Sequence, residues 1–224
     1  RAGYRAVAPD LIGCGQSSKP WLFYTPGDYG RCIEAFLDAL RPGKVVVAGH
    51  SLGGYLALWL ALRRPQQVAK LALVGPAFSL LRQIALTRAE LLLTLAGLPL
   101  LGELSLAVAP RAALRWMLSR PWGGFYRPER LPDGMIDQVV ADLLDNATPL
   151  VCNTIRLLLL GSLPGVGRTG LSTGLLPRAP AVAAPTLLVW GERDALLRPD
   201  AYRLLAARLP HVTLRPVAEA GHSP

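Results

Sequence analysis

Three cysteines, three histidines and three lysines among 224 residues narrow what this chain can do. Cys14, Cys32 and Cys152 are odd in number and far apart in sequence, so neither a disulfide framework nor a metal site is expected. Such usage fits a reducing, cytoplasmic compartment. No signal peptide is visible, although the chain opens Arg1-Ala2-Gly3-Tyr4 rather than with methionine. Clustered charge is also missing. The net charge is +9, but the arginines are scattered, with no run longer than Arg63-Arg64, and no basic stretch is interleaved with aromatics. Nucleic acid is therefore not an expected partner. The rarity of lysine beside abundant Arg, Ala, Leu, Gly and Pro reads as coding bias. Wholesale disorder is excluded, because 51% of the residues are hydrophobic.

Strand signals are absent from the middle of the chain. Tyr4 to Pro9 reads as a buried strand and DLIGCGQSSKP (residues 10–20) as a loop. Thr25-Pro26 starts a helix, with Thr25 as N-cap, and Ile33, Phe36, Leu37 and Leu40 give it one apolar face. Strands follow at Lys44–Ala48 and Lys70–Val74, separated by an apolar helix over Leu52–Arg64. From about Phe78 this alternation stops. Leu80–Leu95, Arg111–Leu118, Met135–Asn146 and Val151–Leu160 read as helices, and Gly161–Pro180 as a Gly/Pro/Ser-rich connector. A strand returns at Thr186–Trp190, then a helix at Asp200–Leu209 and a strand at Val212–Pro216. The fold class expected is a mostly parallel α/β sheet with helices on both faces. Its domains are a core over residues 1–77 and 181–224, and a helical cap inserted over 78–180 at the sheet edge where sites in open α/β folds lie.

What is present most distinctly is Gly49-His50-Ser51-Leu52-Gly53, a Gly-x-Ser-x-Gly between a strand and a helix. That context makes it a nucleophile elbow: glycines permit the tight turn, and the serine is left exposed at the positive end of the helix dipole. A serine hydroxyl needs a base, and the base needs an orienting acid. Of the three histidines, His50 neighbours the serine and should point away, as packing or pocket lining, while His211 reads as a solvated loop residue. His222 lies just past the last strand, on the same sheet edge as Ser51, and is the base candidate. The acid should follow a strand at that edge. Asp194 is preferred there, with Glu192 its close competitor and Asp200 explained by helix capping.

These segments resemble the α/β-hydrolase superfamily, specifically the branch with a helical cap and a serine nucleophile, esterase- and lipase-like. The resemblance is carried by residues 8–17 (APDLIGCGQS), 49–54 (GHSLGG), 190–194 (WGERD) and 221–224 (GHSP), in the family's order. It implies Ser51 as nucleophile, Asp194 and His222 as its partners, and the backbone N–H of Leu52 as an oxyanion donor. Serine argues against the dehalogenase and epoxide-hydrolase branches, which carry aspartate there. The family's first three strands, its His-Gly oxyanion loop and its last helix have no counterpart, so a truncated piece of a longer hydrolase is expected. The substrate expected is a small apolar ester or acyl compound. Carbon–carbon-bond hydrolysis, or an inactive fragment that only binds ligand, are the alternatives. No metal or cofactor is implied.

Other features point less clearly. His50, Trp116, Trp122, Phe125 and Tyr126 are candidates for the substrate pocket. Gly165-Val166-Gly167-Arg168-Thr169-Gly170 matches a dinucleotide fingerprint without the strand such a motif requires. Leu91–Ala109 is nearly charge-free but is interrupted by Gly97, Pro99, Gly102 and Glu103, which favours cap helices over a membrane span and leaves peripheral membrane contact through the cap as an expectation.

Overall fold

The computed structural model describes residues 3–20, 26–78, 110–120, 125–145, 175–198 and 200–224. Its centre is a four-stranded sheet in the order β1 (Val45–His50), β2 (Val68–Val74), β3 (Thr186–Gly191), β4 (Val212–Val217), parallel throughout. Parallel neighbours need crossovers. The first is α2 (Leu52–Arg63), which leaves β1 through a single residue, Ser51. Gly54 to Ala61 of α2 are all buried, as its lack of a polar face requires. α1 (Pro26–Leu40) precedes β1 and packs on α2. Glu34 of α1, itself buried, accepts a hydrogen bond from Arg64 Nε at 2.8 Å just beyond the end of α2. The third crossover carries α5 (Ala201–Ala206), whose Tyr202 meets Trp190 of β3 with ring centroids 5.7 Å apart.

One continuous core joins α1, α2 and α5 to the inward side chains Leu71, Leu73, Leu188 and Trp190 of the sheet. The alternate positions point the other way and stay partly or fully exposed: Val46 and Ala48 of β1, Ala72 and Val74 of β2, Leu187 and Val189 of β3. Register aligns Ala48, Ala72, Leu187 and Thr213 in one row across this face. β1 has no buried residue at all, because it pairs on one side only among the described residues.

Tyr4–Pro9, expected as a buried strand, is not one. Residues 3–10 form no ladder and are exposed, since an extended segment becomes a strand only beside a partner, and none of the four strands pairs with it. Asp10 instead organises the loop behind it: its Oδ2 accepts from Gln16 N at 2.9 Å, and Ser17 Oγ donates to its carbonyl at 2.7 Å. Between β2 and β3 lie α3 (Arg111–Leu118) and α4 (Met135–Asp145), which share a separate small cluster of Leu114, Leu118 and Val140. The expected helices at 80–95 and 151–160, the 165–170 glycine motif, Thr25 and the apolar stretch 91–109 lie outside the described residues. The segment expected to be a flexible connector ends in a 3-10 turn, Leu176–Ala181, whose Leu176 and Ala179 belong to the main core. Leu175 N donates to the Phe78 carbonyl at 3.2 Å, so the chain leaves and rejoins the sheet layer at one place.

Burial predicts a contrast in stability. Leu58, fully buried on α2, should lose about 2–5 kcal/mol as Leu58→Ala. Val46→Ala, on a side chain 50% exposed, should cost less than about 1 kcal/mol. Urea denaturation of both variants measures this; equal losses would mean that the outer face of β1 is covered in solution.

Candidate active site

Ser51 is the single residue between β1 and α2, and its backbone is strained at φ 52°, ψ −114°. Three main-chain bonds hold it there. Its N–H donates to Val74 O at 3.0 Å, and its carbonyl accepts from Tyr55 N and Ala77 N, both at 3.1 Å. Gly49 is obligatory beside it, because a Cβ there would collide with the Gly53 carbonyl as the chain doubles back. Ser51 remains partly exposed. Leu52, the first helical residue, has an N–H of the kind a helix leaves without an intrahelical acceptor.

After β3 the chain turns through Gly191 to Asp194, with Asp194 N donating to Gly191 O at 3.2 Å. A Cβ at Gly191 would strike the Ala220 and Gly221 carbonyls, so glycine there lets the β3 and β4 loops come together. Asp194 is only 5% exposed, and its carboxylate is fully engaged. Oδ1 accepts from Leu196 N at 2.9 Å and Leu197 N at 2.8 Å, while Oδ2 accepts from His222 Nδ1–H at 2.9 Å. A carboxylate can only accept, so Nδ1 carries the proton and the neutral ring keeps Nε2 as its basic nitrogen. His222 is 7% exposed. Glu192, the competing acid, is exposed, and its N–H is tied to Val217 O at 2.9 Å. Asp200 is exposed and bonded to Arg198 rather than capping α5. His211 is exposed.

Ser51, Asp194 and His222 thus follow β1, β3 and β4, all at the C-terminal edge of the sheet. The residue after β2 contributes as well: Gly75, at φ 46°, lies so close that a Cβ would sit 3.2 Å from the His222 carbonyl and 3.5 Å from Nδ1. In the sequence Gly75-Pro76 signalled only a strand end. His50 does not simply point away. Its Nε2 lies 2.8 Å from the His222 carbonyl, and the two rings are 4.8 Å apart at 49°. Burial against these neighbours lowers the His50 pKa, and the bond to the carbonyl offsets this only in part.

The aromatic candidates divide. Tyr126 abuts the loop of His222, and a Cβ at Gly221 would be 2.8 Å from its N. Arg127 next to it pairs with Glu219 and stacks on the Tyr126 ring at 5.4 Å, a contact no sequence pattern announced. Phe125 is half-buried, whereas Trp116 is exposed beneath the Arg120 guanidinium at 4.9 Å. Trp122 lies outside the described residues. A separate cavity of about 480 Å³, lined by Asp10, Ile12, Gln16, Cys32 and Phe36 among others, includes none of Ser51, Asp194 and His222. Among the described residues no cluster of His, Cys, Asp and Glu could hold a metal ion.

Comparison with known proteins adds to this geometry. A family profile described as alpha/beta hydrolase fold matches residues 1–101. A haloalkane dehalogenase of Mesorhizobium japonicum is 50% identical over 68 residues, covering 30% of this chain and 22% of that protein. The chain therefore spans about a fifth of that relative. A 2-hydroxy-6-oxononadienedioate/2-hydroxy-6-oxononatrienedioate hydrolase of Paraburkholderia xenovorans is 26% identical over 99% of this chain and 71% of its own length. The crystal structure of a bacterial membrane phospholipase A superposes with a TM-score of 0.68 at 25% identity, covering 95% of this chain and 62% of that one. The parallel sheet, the tight turn after β1 and these matches show that the chain has the α/β-hydrolase fold.

Proposed function

We propose that the chain is a serine hydrolase that cleaves an ester or related acyl compound with an apolar portion, through an acyl-enzyme. The observation that carries this reading is the 2.9 Å bond from His222 Nδ1 to an Asp194 carboxylate already saturated by two backbone N–H groups. That bond sits on the sheet edge where the strained Ser51 emerges. Ser51 Oγ attacks the carbonyl carbon as His222 Nε2 takes its proton, and Asp194 stabilises the resulting imidazolium without accepting a proton itself. The Leu52 N–H, at the positive end of α2, faces the developing oxyanion. His222 then protonates the leaving group. Water, deprotonated by the same nitrogen, attacks the acyl-enzyme and frees the acid and Ser51.

Serine decides between branches. An alkyl group transferred to Ser51 would form an ether, which water does not cleave under these conditions, so the dehalogenase match does not carry halide chemistry to this chain. A second reading, hydrolysis of a carbon–carbon bond next to a carbonyl, is favoured by the near full-length similarity to the Paraburkholderia hydrolase and needs the same three residues. The segment 78–180 serves as a cap over the site, supported by the Phe78–Leu175 bond at its base, its own small core and the contact of Tyr126 with Gly221. Small apolar substrates would enter beneath it, with Tyr126 and Phe125 as lining candidates. No helix among the described residues is long and apolar enough to cross a membrane. A cytoplasmic location rests on cysteine usage, and peripheral membrane contact rests on residues 91–109.

A fluorophosphonate probe tests the reading. Ser51 should be labelled in the folded chain, and labelling should disappear in Ser51→Ala and fall at least a hundredfold in His222→Ala. An unlabelled folded chain, or labelling indifferent to His222, would sink the hydrolase reading. Hydrolysis of a short p-nitrophenyl ester should drop by about four orders of magnitude in Asp194→Asn, as loss of an orienting aspartate does in other triads, and by less than about threefold in Glu192→Gln. Turnover of a 2-hydroxy-6-oxo-dienoate in preference to esters would select the carbon–carbon reading.

A further inference from the structure

We propose that His50 is a positioning residue for the base: its Nε2–H holds the main-chain carbonyl of His222, while Asp194 holds the ring of the same residue. The inference rests on the reading of His222 as the base and adds a second anchor to it. A backbone carbonyl can only accept, so the 2.8 Å contact requires the proton on His50 Nε2 and defines the tautomer of the neutral ring.

Two features set this contact apart from ordinary packing. His50 stands on the open face of β1 with Val46 and Ala48, where solvent would satisfy an imidazole without help, yet its ring leans over to the β4 loop, 172 residues away in sequence. The segment that it reaches is packed against Gly75, Gly191 and Tyr126 but is held by few hydrogen bonds. Residues 218–224 form no helix or strand. Their described ties are Arg193 N to Ala220 O at 2.9 Å, the Arg127–Glu219 ion pair, the Asp194–His222 bond and the His50 bond. Asp194 fixes the ring through Nδ1, and the bond from His50 fixes the main chain of the same residue. Held at both ends, the residue can keep Nε2 aimed at the hydroxyl that leaves β1 one residue after His50.

The arrangement also needs His50 uncharged. The groups that face it are His222 on the β4 loop and Asp194 after β3. His222 becomes a cation as it takes the serine proton, and a second cation with its ring centre 4.8 Å away would oppose that step. Although His50 is exposed overall, partial desolvation of its ring lowers its pKa, which favours the neutral form and keeps the donor without the charge.

The test is the rate of fluorophosphonate labelling of Ser51 across pH in the unmodified chain, His50→Phe and His50→Gln, with His222→Ala as control and circular dichroism to verify folding. Phenylalanine keeps the ring and loses the donor; glutamine restores an N–H at similar reach. Labelling should slow about five- to tenfold in His50→Phe, the worth of one net hydrogen bond, and recover to within about threefold in His50→Gln. A merely structural role would not be rescued in this way. Wild-type rates in folded His50→Phe, or no recovery in His50→Gln, would overturn the proposal. If the unmodified chain is not labelled, or is labelled independently of His222, the hydrolase reading fails instead. The anchor is then still read by proton NMR, as faster solvent exchange of the His222 Nδ1–H in His50→Phe than in the unmodified chain; unchanged exchange would overturn it.

Discussion

A serine held in a backbone conformation that serine does not choose is the constraint from which the rest of the site follows. At φ 52° and ψ −114°, Ser51 carries strain on the order of 1–3 kcal/mol. Three main-chain hydrogen bonds, each worth about 1 kcal/mol net, can offset it. Two of them reach beyond α2, to Val74 and Ala77 at the end of β2. The elbow is therefore not a local turn. It exists because β1 and β2 are registered, His50 opposite Val74, and because Gly49 lets the chain fold back on Gly53.

The same register assembles the other groups. Four neighbouring strands in parallel bring four successive loops to one edge, so residues at 51, 75, 194 and 222 become neighbours without any local sequence relation. Within that cluster the polar groups are matched to their protonation. The Asp194 carboxylate accepts from three donors, the Leu196 and Leu197 N–H groups and His222 Nδ1–H. His222 gives Nδ1–H to it and leaves Nε2 as its acceptor, and the proposed anchor from His50 supplies a donor from a ring whose pKa partial desolvation lowers. The helical segment between β2 and β3 comes down on this edge through Tyr126 and Arg127 rather than through Trp116, whose ring is turned to solvent under Arg120.

The sheet itself is unevenly covered. Parallel strands ordinarily have both faces packed. Here the face carrying Leu71, Leu73, Leu188 and Trp190 is buried by α1, α2 and α5, whereas Val46, Ala48, Leu187 and their row stay partly or fully exposed. The strand that delivers the serine thus has no fully buried residue, like β4 at the other end of the sheet, and the elbow owes its rigidity to β2 and α2 on its inner side.

Much of the fold could be read from the amino-acid order alone. The limits of β1 to β4 and of α2, α3 and α4 follow within a few residues from apolar runs and from stops at Gly and Pro, because those signals are local. The placing of Asp194 and His222 at one edge was also legible, since residues just past strand ends in a parallel sheet must share an edge. What only the tertiary structure decided depends on partners distant in sequence. Tyr4–Pro9 has strand composition but no neighbour to pair with, and composition does not carry that information. Sequence already favoured Asp194 over Glu192, but that its carboxylate meets His222 Nδ1 while Glu192 stays exposed is seen only in the folded turn after Gly191. The contact of His50 with the His222 carbonyl, the room left by Gly75 and the Arg127–Glu219 pair join loops separated by 92 to 172 residues. Periodicity reports which face a side chain takes; it does not report which loop will be waiting there.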